Sequence, residues 1–461
     1  MIEIKEKELE ALLGQAIQRI APGENFQLVS ITKKVKFTDP LHFFEAAKYM
    51  NKDRVYWTST ADTFTIAGVG NVHEITAKNN RFLVTEEEWE DIRSKAIIHQ
   101  EENVPGTGVV TLGGMSFDPK KEQTDLWRNF QPSQFIIPAY MLTVYNKRHY
   151  FTMNILINKD DHPVQLANEL AKAEEMLLAK SPIPEDSLSI LNKKEIEPER
   201  WKDTVMKATA EIQAKQAQKI VLARELRIKL SKQANISQVL QELLDKQPNS
   251  YIFAFEKESD CFVGATPERL VKVEQNQLLS TCLAGTAPRG ETIEEDKKIG
   301  QSLLNDSKNR KEHDFVVRMI KEGMKKYCTN VDIPAEPVIY PLKNLQHLYT
   351  PVTATLKDGY SIFDIIGELH PTPALGGTPR DASLQFIRDN ELLDRGWYGA
   401  PVGWLDSSRN GEFAVAIRSG LIQGDEASLF AGCGIVKDSD AEKEYEETNI
   451  KFLPMLTVFG G

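Results

Sequence analysis

Residues 251–283 read YIFAFEKESDCFVGATPERLVKVEQNQLLSTCL. Four short apolar or alternating runs lie here: Tyr251 to Phe255, Cys261 to Ala265, Leu270 to Val273 and Leu278 to Leu283. Only four or five residues separate one run from the next. Connections that short join antiparallel neighbours, because a parallel crossover needs a dozen residues or more. The stretch therefore predicts an antiparallel meander.

Outward from it, Lys219 to Leu230 alternates as a strand between helical segments at Trp201 to Gln218 and Ser237 to Asp245. Downstream, a long helix is expected from about Ile293 to Tyr327. Asn410-Gly411 is a strong hairpin turn between strands around Tyr398 to Leu405 and Glu412 to Gln423. Gly424-Asp425 turns the chain into Ser428 to Val436, and a last helix starts near Ala441. Earlier in the chain, Phe64 to Val69 and Arg148 to Ile157 are strand-like and Pro163 to Ala179 is helical. Ser181 to Arg200 combines prolines with charge and little periodicity, as a linker does. It divides an N-terminal region, 1–190, from a C-terminal region, 191–461. The expected class is α+β, an α/β sandwich of large antiparallel sheets flanked by helices.

Bulk composition excludes several classes. With 41% hydrophobic and 27% charged residues, the 461-residue chain can bury a full core. No apolar run approaches the ~18 residues that span a bilayer, and the charged N-terminus lacks a secretory h-region. A net charge of −11 and no basic, aromatic-interleaved stripe argue against a nucleic-acid partner. Cys261, Cys282, Cys328 and Cys433 show no C-x-x-C spacing, consistent with reduced thiols in the cytoplasm.

A few residues depart from their local pattern. Glu312 lies three, four and seven positions before Phe315, Val316 and Met319, on the apolar stripe of its helix. A carboxylate there needs a cation, a metal or a proton, and a neighbour such as Lys308 would serve. In the final helix Glu444, Glu447 and Lys451 share one face; such runs are commonly solvated, but clustered carboxylates also make hard oxygen ligands suited to magnesium. Alternation in FAVAIRSG puts Arg418 beside Ala414, Ala416 and Gly420, leaving room for a carboxylate ligand; a solvent-facing arginine fits the pattern equally. Gly432 and Gly434 permit close backbone approach. Lys219 opens a strand on the face of Val221 and Ala223, where burial would make it a usable base, although lysines at strand edges are commonly solvated. Glu268 stands in a tight turn, ordinarily a place for a surface charge.

Taken together, KIVLAREL, FVGATPERL, LAGTAPRG, SKNRKEHDFV, QHLYTPVTATL, LHPTPALGGTPR, RGWYGAPVGWLD, AVAIRSGL and AGCGIVKDSDAEKEYEETNIK resemble the chorismate-utilising enzymes from Trp201 to about Phe459. The resemblance implies their anthranilate synthase-like fold, chorismate as small-molecule substrate and Mg2+ as cofactor. By motif, Lys219 resembles the base that activates water and Glu268 the acid that protonates the departing C4 hydroxyl. Glu312 and Glu447 resemble direct metal ligands, and Glu444 one acting through water. Tyr398, Arg418, the Gly434 backbone and Lys451 resemble carboxylate binders, with Gly285, Thr286 and His347 expected near the substrate. Ala284 stands where aminodeoxychorismate synthases carry a nucleophilic lysine, and Ala374 follows the isochorismate-synthase pattern. Neither a glutamine amidotransferase segment nor a tryptophan-feedback motif is recognisable. The resemblance thus implies a hydroxymutase making isochorismate, of the menaquinone-pathway type. Alternatives are a siderophore-pathway isochorismate synthase, a salicylate synthase, or a non-catalytic chorismate-binding sensor.

Overall fold

The computed structural model describes residues 6–60, 63–185, 187–342 and 345–460. Among them, a 13-stranded and a 10-stranded sheet stack face to face. Aromatic side chains fill the interface, with Trp57, Phe253, Phe262 and Phe430 meeting Trp404, Val402 and Ala414. Helices cover both outer faces. Leu240 and Phe452 pack on the larger sheet, while Val316, Ile320 and Phe363 pack on the smaller one. Four layers result, helix–sheet–sheet–helix, as expected for an α+β sandwich. Strands preceding residue 190 enter both sheets: Arg54–Ser59 and Phe64–Val69 the larger, Val110–Met115 and Ser133–Ile137 the smaller. No helix of the described residues is long and apolar enough to cross a membrane.

The 251–283 stretch is antiparallel throughout, but it is not one meander. Tyr251–Lys257 pairs with Asp260–Thr266 in the larger sheet, whereas Arg269–Glu274 pairs with Gln277–Pro288 in the smaller. The chain changes sheets at Pro267-Glu268, where proline has no N–H to continue the ladder. A second correction matches it. The strand expected from Glu412 to Gln423 is two, Gly411–Val415 in the smaller sheet and Ser419–Gln423 in the larger. Arg418, in the gap, has φ +51, so the alternation read through it does not hold. The two crossings lie side by side: Ala265 N donates to Arg418 O at 3.0 Å and Val415 N to Glu268 O at 2.9 Å.

Two further expectations change. The helix from Ile293 to Tyr327 is broken into Ile293–Asn305 and Ser307–Lys325. Asp306 between them has extended backbone, and its carboxylate caps Asn309 N at 2.7 Å, a start signal concealed inside a charged run. The Ser181 to Arg200 linker contains an edge strand, Ile190–Glu195, along Lys219–Leu230. Its charged residues suit the exposed edge of a sheet.

Candidate active site

The two crossings open onto a cavity of about 400 Å3. Its walls include Lys219 from the Lys219–Leu230 strand, Glu268 and Arg418 from the crossings, and Gly285, Thr286 and His347 from the smaller sheet. Ala374, Tyr398 and Gly434 border it too, as do Glu312 of Ser307–Lys325 and Glu444, Glu447 and Lys451 of Ala441–Leu456. Every residue to which the resemblance gives a site role therefore borders one cavity.

Local geometry explains several placements. In the Gln277–Pro288 strand the register shifts between Leu283 and Thr286, and Gly285 adopts φ +83. This bulge re-aims Thr286 toward the cavity. Gly434 makes room for Lys219: a Cβ there would lie 2.4 Å from Lys219 Cε.

The ionic groups are arranged in pairs. Lys219 Nζ donates to Glu312 Oε1 at 2.6 Å, and Lys451 Nζ to Glu447 Oε1 at 2.5 Å and to Gly432 O at 2.9 Å. Ser439 Oγ donates to Glu444 Oε1 at 2.7 Å. Glu312 is not on the core stripe of its helix; that stripe is His313, Val316, Ile320 and Met324. One position before His313, Glu312 stands at the stripe's edge and borders the cavity, where its cation is Lys219 and not Lys308. Nor do the three carboxylates close into one cage, since no group of three His, Cys, Asp or Glu side chains able to hold an ion occurs among the described residues. Their chemistry still fits magnesium: hard oxygen donors from two helices border a single cavity.

Burial tunes the other groups. Glu268 is pushed up to about 7, because burial outweighs the attraction of Arg418 and Lys219. Such a carboxyl keeps much of its proton at neutral pH, as an acid should. His347 is pushed down to about 4 by burial and by Arg418, so its ring is neutral. Its Nδ1 lies 2.9 Å from Thr286 Oγ1, and its Nε2 has no partner among the described residues. Burial raises the Tyr398 phenol well beyond its ordinary value, which keeps it a hydrogen-bond donor. Arg418 is part-buried, donates to Lys451 O at 3.2 Å and has no carboxylate within ion-pair distance among the described residues. A guanidinium so placed can receive an anionic ligand, with bidentate geometry available. The Cys433 thiol, also buried, is pushed well up, which removes it as a nucleophile.

One pair escaped the sequence reading. Arg395 forms a two-pronged ion pair with Glu391 at 2.6 and 2.7 Å, and also donates to Val221 O at 2.7 Å and Leu375 O at 3.0 Å. Glu391 in turn accepts from Ala223 N at 2.7 Å. The pair ties the Lys219 strand to the Ala374 loop beneath the cavity. Its two residues lie outside any helix, so no periodicity betrays them.

Comparison with known proteins gives this cavity a family. Residues 15–460 match the family described as chorismate binding enzyme. Isochorismate synthase MenF of Bacillus subtilis (strain 168) is 43% identical over 442 residues, covering 94% of each chain. The salicylate biosynthesis isochorismate synthase of Pseudomonas aeruginosa is 32% identical over 98% of this chain and 94% of its own. The structure of MenF, the menaquinone-specific isochorismate synthase from Escherichia coli, superposes with a TM-score of 0.80 over 99% of this chain and 100% of its own, at 22% identity; that likeness speaks for the fold. This chain belongs to the chorismate binding enzyme family.

Proposed function

We propose that the protein is an isochorismate synthase, which adds water to chorismate at C2 as the C4 hydroxyl leaves. The observation that carries this reading is a carboxyl poised near neutrality, Glu268, sharing a cavity with a lysine and an anion-receiving arginine. The names borne by the relatives point the same way.

Arg418, Tyr398 and Lys451 would hold the substrate carboxylates, and the Gly434 backbone lets the ligand come close. Lys219, released when its Glu312 contact opens, takes a proton from water. The water oxygen bonds to C2, the ring double bond shifts, and the C4–O bond breaks as Glu268 donates its proton to the leaving oxygen. One water enters and one leaves, so the net reaction is an isomerisation. Magnesium held by Glu312 and Glu447, with Glu444 through water, would supply positive charge to the ring carboxylate. General acid–base assistance of this kind is typically worth ~10²–10⁴ in rate per group. We place the enzyme in the cytoplasm at the entry to menaquinone synthesis, acting without an amidotransferase subunit.

The test is product identification from chorismate, with magnesium and with EDTA. Isochorismate formed only with magnesium supports the reading. Salicylate as main product, anthranilate when ammonia is supplied, or binding with zero turnover would each replace it.

A further inference from the structure

Glu268 also lines a second and much smaller cavity of about 10 Å3, which Lys219 and Arg418 do not reach. Its volume is close to the room one water molecule occupies. Its lining is mostly apolar, from Leu270, Leu283, Val316, Ile320 and Leu369. Set into that lining are four oxygen-bearing side chains: Glu268, Ser280, Thr281 and Thr372. Ser280 Oγ donates to Leu270 O at 2.7 Å and Thr281 Oγ1 to Arg269 O at 3.2 Å, so both protons are committed and only lone pairs remain. Thr372 differs. It is 6% exposed, and its Oγ1 has no hydrogen-bond partner among the described residues. A buried hydroxyl without a partner costs about 1–3 kcal/mol, so a native structure that keeps one invites an explanation. Nor is the position slack: Leu375 N and Gly376 N both donate to Thr372 O at 2.9 Å, which fixes the residue against the cavity.

We propose that Thr372 and one water in this cavity form a donor relay to the back of the Glu268 carboxyl, making Thr372 a positioning residue for the acid. The inference rests on the acid role given to Glu268 above. A buried water needs two to four polar partners, and this cavity offers them: the carboxyl, the free hydroxyl and the two committed oxygens. When Glu268 gives up its proton, a carboxylate is left where burial disfavours it. The charged groups that act on it are Arg418 and Lys219, both from the side of the large cavity; Cys282, nearby, is held neutral by burial. Arg269, its neighbour in sequence, is committed to Glu412 at 2.8 Å. A hydrogen bond from the relay water reaches the carboxylate from this second cavity, and Thr372 orients that water. Donation to the charged form lowers a carboxyl's pKa. Without it, Glu268 would be a weaker acid.

The test is Thr372→Val, which keeps the shape and removes the hydroxyl. Because that hydroxyl bonds no protein group among the described residues, T372V breaks no contact within the protein and should fold with little change in stability. Its kcat should fall about tenfold with KM for chorismate unchanged. The Glu268 titration should move up by about one pH unit, the same factor of ten. That titration is read in resting enzyme by infrared difference spectroscopy against E268Q, a readout independent of which product forms. Thr372→Ser, which restores the hydroxyl, should recover both kcat and titration. T372V with parental kcat and titration would overturn the proposal, as would T372S impaired as badly as T372V. If the titration moves as described but chorismate yields another product, the relay stands and the isochorismate reading falls.

Discussion

Replacing Glu268 by Gln separates what the fold prefers from what the chemistry needs. The folded protein holds this carboxyl at about 7 against an ordinary value of 4.5. The difference, about 2.5 pH units at 1.36 kcal/mol each, amounts to roughly 3 kcal/mol. The sign follows from linkage. Between 4.5 and 7 the unfolded chain has lost this proton and the folded chain has kept it, so stability falls as pH rises through that window. Above it the full penalty is present; below 4.5 it vanishes. E268Q carries no charge at any pH, so it should gain up to about 3 kcal/mol over the parent at pH 8 and nothing at pH 4.5. Partial access to cavity water keeps the gain below that ceiling. With an unfolding entropy of about 2.1 cal/mol/K per residue, a chain of this length should melt roughly 3 °C higher at pH 8. Isochorismate formation should meanwhile drop by ~10²–10⁴. In the parent, kcat/KM should decline tenfold per pH unit above about 7, as the acid loses its proton. Calorimetric scans at pH 5 and 8 and a pH–rate profile suffice. A melting difference that ignores pH, or a rate with no descending limb near neutrality, would refute the reasoning.

Other perturbations test other parts of the cavity. Gly434→Ala puts a Cβ 2.4 Å from Lys219 Cε, the flexible part of a side chain, so Lys219 should be displaced while the sheet survives. Turnover is expected to fall by ~10²-fold or more with stability changed by less than about 1 kcal/mol, read by steady-state kinetics and thermal melts. Arg418→Met removes a charge-assisted contact worth about 1.5–3 kcal/mol, so chorismate binding should weaken roughly 10- to 100-fold in a direct binding titration. Glu447→Gln should raise the magnesium concentration for half-maximal turnover and lower the heat of magnesium binding in calorimetry; unchanged values would move the metal elsewhere. A pH-jump unfolding series should show His347 costing stability on the acid side. Its ring, held at about 4, must take a proton on unfolding below 6.5, so its contribution is lost as pH falls through that interval and His347→Gln should flatten the loss.

Element type was largely legible in the sequence, because alternation and the helical periods are local signals. The hairpin expected at Asn410-Gly411 exists, but its turn falls one step earlier, over residues 407–410 with Arg409 at φ +64, and Gly411 already pairs with Leu405 in the strand. Sheet membership was not legible. Nothing in residues 251–283 says that the third run abandons the sheet of the second, since both alternate alike and the decisive proline also suits an ordinary turn. Alternation through Arg418 misled for the same reason: it presumes a continuous strand, and the chain breaks at φ +51. Asp306 shows the complementary failure, a cap concealed by the charges on either side. Residue roles at the cavity came from motif blocks, because a base, an acid and a carboxylate cluster spread over more than 200 residues leave no spacing to read. Arg395 opens the RGWYGAPVGWLD block, but its pairing with Glu391 left no trace in spacing, being a contact between loops and backbone carbonyls.

The crossings also explain why an acid and a guanidinium can sit at the centre of an apolar sandwich. Inside a continuous strand a side chain must point to the core or to the helices, and either place would force Glu268 or Arg418 to be paired and fully buried. Where the chain changes sheets it leaves the pleat, and its backbone groups need other partners. Here the two crossings satisfy each other through Ala265 N to Arg418 O and Val415 N to Glu268 O. Both residues are thereby held by main-chain bonds at strand ends, while their side chains, Arg418 tethered only to Lys451 O among the described residues, border the space where a ligand would sit between the sheets. A shift of one crossing would move the other with it. The acid and the anion receptor are therefore fixed relative to each other by the backbone, and only the groups around them, Lys219, Glu312 and the Ala441–Leu456 helix, are left to adjust when substrate enters.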